Sequence, residues 1–93
     1  MNTQGQFPNN LRMIRKRLGL RQVDVADRLG RTSADCISHW EKGLALPSVV
    51  NLFKLAIIYG VPLDHLYPDL YDMLSREMEQ RRMRGPIGWT SSV

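Results

Sequence analysis

Five basic side chains, Arg12, Arg15, Lys16, Arg17 and Arg21, fall within the first 21 residues with no acid among them, a local charge of +5. Such a cluster suits the phosphodiester backbone of a nucleic acid. It equally suits a solvated helix face, and charge alone leaves both readings open. Residue types that could do covalent or acid–base work are present but scattered. Cys36 is the only cysteine; it has no His–Asp relay beside it and reads as an inert thiol, so neither an internal disulfide nor a cysteine zinc cluster can form. His39 and His65 lack metal-ligand spacing. The pairs Asp24–Asp27 and Asp69–Asp72 read as surface charges and helix starts rather than as catalytic carboxylates. No catalytic residue, metal or cofactor is assigned, and an enzyme is set aside.

The whole chain has 93 residues, a net charge of +4 and 43% hydrophobic residues. That is enough for one small packed domain and too apolar for a disordered chain. No run approaches the roughly 18 apolar residues of a membrane span. The opening MNTQGQFPNN lacks both the basic and the apolar part of a signal peptide, so a cytoplasmic protein is expected. Beyond the basic first 21 residues the charge changes sign. Residues 22–60 balance, residues 61–75 carry −3 through Asp64, Asp69 and Asp72, and residues from 76 onward return to +2.

What must position these groups is a set of helices, since no stretch alternates in the way a half-buried strand does. Asn10 is placed to cap a first helix whose Leu11, Ile14 and Leu18 share a face before Gly19. A second helix spans about 21–29, with Val25, Ala26 and Leu29 inward and Gly30 at its end. Ser33 offers a cap for a third, where Ile37 and Trp40 point inward before Gly43. Pro47-Ser48 opens a fourth, with Val49, Leu52, Phe53 and Ala56 along one face, and Pro62 starts a short fifth carrying Leu63 and Leu66. After Pro68 a longer helix carries an apolar stripe of Leu70, Met73, Leu74 and Met78, with acids at its start and Arg81, Arg82 and Arg84 at its end. The expected organisation is a flexible tail over 1–8, a domain over 9–67, a C-terminal helix over 68–84 and a second flexible tail over 85–93.

The stretch Gln22–Pro47, QVDVADRLGRTSADCISHWEKGLALP, carries the most information. Two helices that cross steeply at a short turn need a small residue where their backbones approach, and Ala26 supplies it. Arg15, Leu20-x-Gln22, Val25-Ala26-x-x-Leu29-Gly30, Ile37-Ser38-x-Trp40-Glu41-x-Gly43, Pro47-Ser48, Leu52, Leu55-Ala56 and Gly60-Val61 occur in order. From Leu11 to Leu66 the chain resembles the lambda-repressor-like (Cro and XRE type) helix-turn-helix family. The resemblance implies an all-α, five-helix DNA-binding domain, here with an additional C-terminal helix.

It also implies a mechanism: the second helix lies across the phosphate backbone and the third enters the major groove. On that mapping Ser33, Ala34, Asp35, Ser38 and His39 face the bases, and Gln22, Arg12, Lys16, Arg31, Thr32 and Lys42 contact phosphates. Arg15 and Glu41 match a structural ion pair between the first and third helices. Three departures stand out. Asp35 repels phosphate, so it acts as a specificity filter or a first-turn dipole partner. One extra residue lies between Gly30 and Gly43. The loop Leu44-Ala45-Leu46 has no basic residue. The stripe Leu70, Met73, Leu74 and Met78 is expected to form a homodimer seam, with packing on the chain's own core and another partner as alternatives. The implied function is a sequence-specific regulator of transcription that binds double-stranded DNA, bacterial or phage-borne. The alternative is a protein-interaction module or an antitoxin, whose second partner would be a toxin; polymerase is a further candidate partner.

Overall fold

The computed structural model describes residues 6–84, so the expected tail over 85–93 and the first five residues of the other lie outside the described residues. The described residues form six helices and no strand: α1 (Leu11–Arg17), α2 (Gln22–Arg28), α3 (Asp35–Glu41), α4 (Val49–Tyr59), α5 (Leu63–Leu66) and α6 (Pro68–Arg84). None of them is long and apolar enough to cross a membrane. The helices end where the sequence punctuates them. After α2, the Arg31 N–H reaches the Ala26 carbonyl at 2.9 Å and the Gly30 N–H reaches Asp27 at 3.0 Å. This closing motif needs a left-handed residue, and Gly30 has φ +78°. At the start of α4 the Ser48 hydroxyl accepts from the Asn51 N–H at 3.2 Å.

The core gathers Leu11, Ile14, Val25, Ala26, Ile37, Trp40, Leu55 and Leu66, each at or below 8% exposure, from α1 to α5. Fully burying one such Leu or Ile side chain is worth about 1.5–3 kcal/mol, so for a 93-residue chain this cluster dominates stability. Its Trp40 is inward, as its spacing from Ile37 requires. Tyr59 and Tyr67 are also in this core, at 4% and 5% exposure, and neither was legible as core because tyrosine commonly sits half-wet at helix ends.

Three sequence expectations change here. The side chain of Asn10 does not cap α1: its backbone (φ −106°, ψ 14°) is not the extended cap conformation. Instead its Nδ2 donates to the His65 carbonyl at 3.0 Å. The neighbouring Asn9 takes over, its Oδ1 accepting from the Leu11 N–H at 3.0 Å while its Nδ2 donates to the Trp40 carbonyl at 2.8 Å. The start of α1 is thus tied to α5 by one asparagine and to α3 by the other. On α4 the inward face is Leu52, Leu55, Ala56 and Tyr59. Val49 and Phe53, expected inward, are 66% and 57% exposed and share an outer stripe with Val50 and Ile57. Lastly, Phe7 belongs to the packed structure, since it lies against the core and donates its N–H to the Gly43 carbonyl at 3.2 Å.

The two core tyrosines make a pH-dependent prediction. Neither hydroxyl has a hydrogen-bond partner among the described residues. Burial pushes the Tyr59 phenol up to about 12, with Glu41 adding to the rise, and burial alone pushes Tyr67 up to about 12. A raised pKa means that the folded chain keeps a proton that the unfolded chain gives up at lower pH. The contribution is therefore fully present below pH 10 and lost as pH climbs toward about 12. Tyr59→Phe is expected to leave stability at pH 7 unchanged or raise it by up to about 1 kcal/mol, because only an unpaired polar atom is removed. Urea unfolding at pH 7 and pH 11 checks this. The variant should lose less stability between the two than the parent does.

Candidate nucleic-acid interface

The centre of the site is a buried ion pair. Arg15 comes from α1 and Glu41 from the last turn of α3, and their side chains are 9% and 3% exposed. The guanidinium meets the carboxylate in fork geometry, with Nε donating to Oε2 at 2.5 Å and Nη2 to Oε1 at 3.1 Å. Its remaining arm, Nη1, donates to the Leu20 carbonyl at 2.9 Å. Bidentate pairing of this kind fixes orientation in a way that a lysine could not. The hydrogen bond to Glu41 drives the Arg15 pKa further up despite the opposing cost of burial.

Gln22, the first residue of α2, is the third member. Its Nε2 donates to Glu41 Oε1 at 3.0 Å. One carboxylate therefore ties together α1, α2 and α3. The remaining N–H of the Gln22 carboxamide is left to another acceptor. Around this hub lies an open cleft of about 750 Å³ that brings Arg12 and Lys16 of α1 together with Gln22, Ser38 and Lys42. Of the five cations in the first 21 residues, Arg15 is spent on Glu41. Arg21 pairs with Asp24 at 3.0 Å, and that side-chain contact holds the Asp24 carboxyl below its usual range. Arg12, Lys16 and Arg17 stay exposed, with no ion pair among the described residues.

The other expected contacts gather elsewhere. Arg31, Thr32, Ser33 and Asp35 line a second groove, of about 450 Å³, at the start of α3. Ser33 caps this end locally, its hydroxyl accepting from the Asp35 N–H at 3.1 Å. Residues 29–34 separate α2 from α3. His39 is exposed and borders neither groove, whereas Ala34 is half-buried against the core. Ser38 is half-buried as well, but it borders the first cleft. Asn9 and Met13, which line the first cleft, were not singled out. For Asn9 the signal was present in the Asn9-Asn10 pair, of which only the second was read as a cap.

Among the described residues no group of His, Cys, Asp and Glu could hold a metal ion. Cys36 is half-buried against the core. No curated protein matches the chain. A family model described as helix-turn-helix matches residues 11–66, more than half of the chain and the whole span from α1 to α5. With the α2–turn–α3 unit, the interhelical ion pair and the basic cleft in place, this chain belongs to the Cro/XRE-type helix-turn-helix family of DNA-binding proteins.

Proposed function

We propose that this protein is a sequence-specific regulator of transcription, bacterial or phage-borne and cytoplasmic, that binds double-stranded DNA as a two-fold pair. One observation carries the reading: Arg12, Lys16 and Lys42 flank Gln22 along a single cleft, beside the exposed side of α3. In this reading α3 enters the major groove. Ser38 and His39 hydrogen-bond base edges, and Ser33 and Asp35 approach from its first turn. Asp35 selects by what it rejects, accepting from a cytosine amine and repelling a misplaced phosphate. Arg12, Lys16, Gln22 and Lys42 hold one stretch of backbone, and Arg31 with Thr32 holds the next.

The test is a salt titration of DNA affinity. Each phosphate contact contributes a slope of about −0.9 in log K against log salt, so the double variant Arg12→Ala/Lys16→Ala should flatten the slope by about 2 per protomer. Preference among sequences should survive, because these residues touch no base. A slope that the two substitutions leave unchanged contradicts the assignment.

A second reading, an interaction module or antitoxin with a protein partner, is favoured by one observation. The outer stripe of α4 (Val49, Val50, Phe53 and Ile57) is exposed and carries no charge. Val50→Asp with Ile57→Asp would leave DNA affinity intact under the first reading and abolish function under the second.

A further inference from the structure

Helix α3 has seven residues, too few to hold a direction in water by themselves. Its aim is set by what grips it. The apolar stripe of α6 is not where that grip lies: of its four residues only Leu70 packs against the core, and Met73, Leu74 and Met78 are 44–56% exposed. One attachment of α3 is the Glu41 carboxylate, which joins it to Arg15 and Gln22. A second lies in the backbone. Every helix leaves its last carbonyls without internal partners. In α3 the Leu44 N–H returns to the His39 carbonyl and the Gly43 N–H to the Trp40 carbonyl, each at 3.0 Å. The Trp40 carbonyl then accepts a further bond, at 2.8 Å, from Nδ2 of Asn9, just ahead of α1.

Asn9 has no donor left over. The two hydrogens on its Nδ2 go to the Trp40 and Phe7 carbonyls, at 2.8 and 2.9 Å, and its Oδ1 accepts from the Leu11 N–H at 3.0 Å. A phosphate oxygen only accepts. Asn9 borders the basic cleft with nothing to donate into it, so it can serve DNA only through α3.

We propose that Asn9 is a positioning residue for DNA reading: its carboxamide sets the angle of α3 against α1, and so how sharply α3 tells one base sequence from another. Arg12 and Lys16 ride on α1, and Ser38 and His39 on α3. Once phosphates hold α1, that angle decides whether the groups on α3 meet base edges in line, and hydrogen bonds weaken steeply when misaligned. The Glu41 bridge runs through flexible side-chain carbons, whereas the Asn9 bond grips the backbone at the end of α3. Asn10 supplies the comparison, because its Nδ2 donates to the His65 carbonyl at 3.0 Å and ties α1 to α5 instead. The inference rests on the reading of α3 given above.

The experiment compares Asn9→Ser and Asn10→Ser with the parent. A serine keeps a local bond of the kind Ser33 makes to the N–H two residues on, at 3.1 Å, but its shorter side chain gives up the Trp40 carbonyl. Affinity is measured across a salt series for a duplex that the parent selects from a random pool, and for unselected duplex. Asn9→Ser should lower the ratio of the two affinities about tenfold, the size of one lost base contact. Its affinity for unselected duplex and the salt slope should stay unchanged. Asn10→Ser should keep the parental ratio. An equal loss on both duplexes would make Asn9 a backbone contact, and a lowered melting temperature with the parental ratio would make it a stabiliser only. Either result overturns the proposal, as does the same fall in ratio for Asn10→Ser. Hydrogen exchange adds a readout without DNA. The Gly43 and Leu44 amides should exchange about 3–10-fold faster in Asn9→Ser, with the Leu11 amide unchanged. Parental exchange at Gly43 and Leu44 overturns the positioning. A parent that prefers no duplex sinks the reading of α3, and the exchange pattern still decides whether Asn9 holds that helix.

Discussion

Replacing Glu41 with alanine is expected to lower the unfolding free energy by about 3–5 kcal/mol, because it leaves a buried guanidinium without its counter-charge. The Glu41 side chain is 3% exposed and accepts three hydrogen bonds, two from Arg15 and one from Gln22. After truncation only the Leu20 carbonyl would remain to Arg15. Against a total stability of about 5–15 kcal/mol for a domain, that loss is a fifth or more, and the melting temperature should drop by at least about 12 °C. The intact pair is not thereby a large net stabiliser. Arg15→Met combined with Glu41→Leu removes both charges and fills similar volume, and its stability should lie within about 1.5 kcal/mol of the parent. That double variant separates two roles of Glu41. It should fold but bind DNA more weakly, because Gln22 has lost the acceptor that orients it. Thermal unfolding of Arg15→Met, Glu41→Leu and the double variant at pH 7 measures the coupling. A Glu41→Ala loss below about 1 kcal/mol would mean that water reaches the pair, where such bridges are worth little.

The second large effect is expected at Gly43. This residue has φ +75°, and an added Cβ would lie 2.7 Å from the Phe7 carbonyl oxygen and 3.0 Å from its carbon. Both atoms are backbone, so no side-chain rotation relieves the overlap. Gly30 makes the natural control, with φ +78° and nothing within 4 Å of its Cβ position. Both alanine variants carry the left-handed penalty of about 1–2 kcal/mol. Only Gly43→Ala must also push residue 7 away from α3. That movement breaks the Phe7–Gly43 backbone bond and the Asn9 bond to the Phe7 carbonyl, at about 0.5–1.5 kcal/mol each. Gly43→Ala should therefore cost about 1–3 kcal/mol more than Gly30→Ala in denaturant unfolding. Hydrogen exchange at the Phe7 amide should accelerate in the first variant and stay unchanged in the second. Equal costs would show that the segment before α1 contributes nothing to holding α3.

The helices of this protein were legible because glycine, proline and serine mark their ends, and because Ala26, Ile37 and Trp40 fall at positions with one sensible direction. The Arg15–Glu41 pair was reachable only through family resemblance, since 26 residues separate its members and no local spacing links them. Helix α4 was misread for a physical reason. Val49, Val50, Leu52, Phe53, Leu55, Ala56, Ile57 and Ile58 surround it with apolar groups, so periodicity does not single out a face. Packing against α5 and the core, which the sequence does not display, selects Leu55 and Tyr59. Asn9 and Asn10 show the same limit at smaller scale. Two identical neighbours can both cap a helix, and the path of the entering chain decides which one does.

The interface was half legible in the same sense. Residue types identified the basic side of α1, but not that Arg15 turns inward and Arg21 is held by Asp24. The local field that remains comes from Arg12, Lys16 and Arg17, with Lys42 across the cleft. That arrangement is small in total charge and concentrated beside Gln22, which suits backbone contacts more than it explains sequence preference. In the proposed function, specificity comes from Ser33 in the connection before α3 and from Asp35, Ser38 and His39 on α3.

The central claim, that α3 reads a defined base sequence while the α1–α2 cleft grips the backbone, is tested most directly by selecting bound duplexes from a random pool. The expected result is one enriched site with two-fold symmetry and half-sites about 10 base pairs apart, bound at least about 10³-fold more tightly than unselected DNA. A pool that stays random after selection, at a salt concentration where the protein still binds, would contradict it.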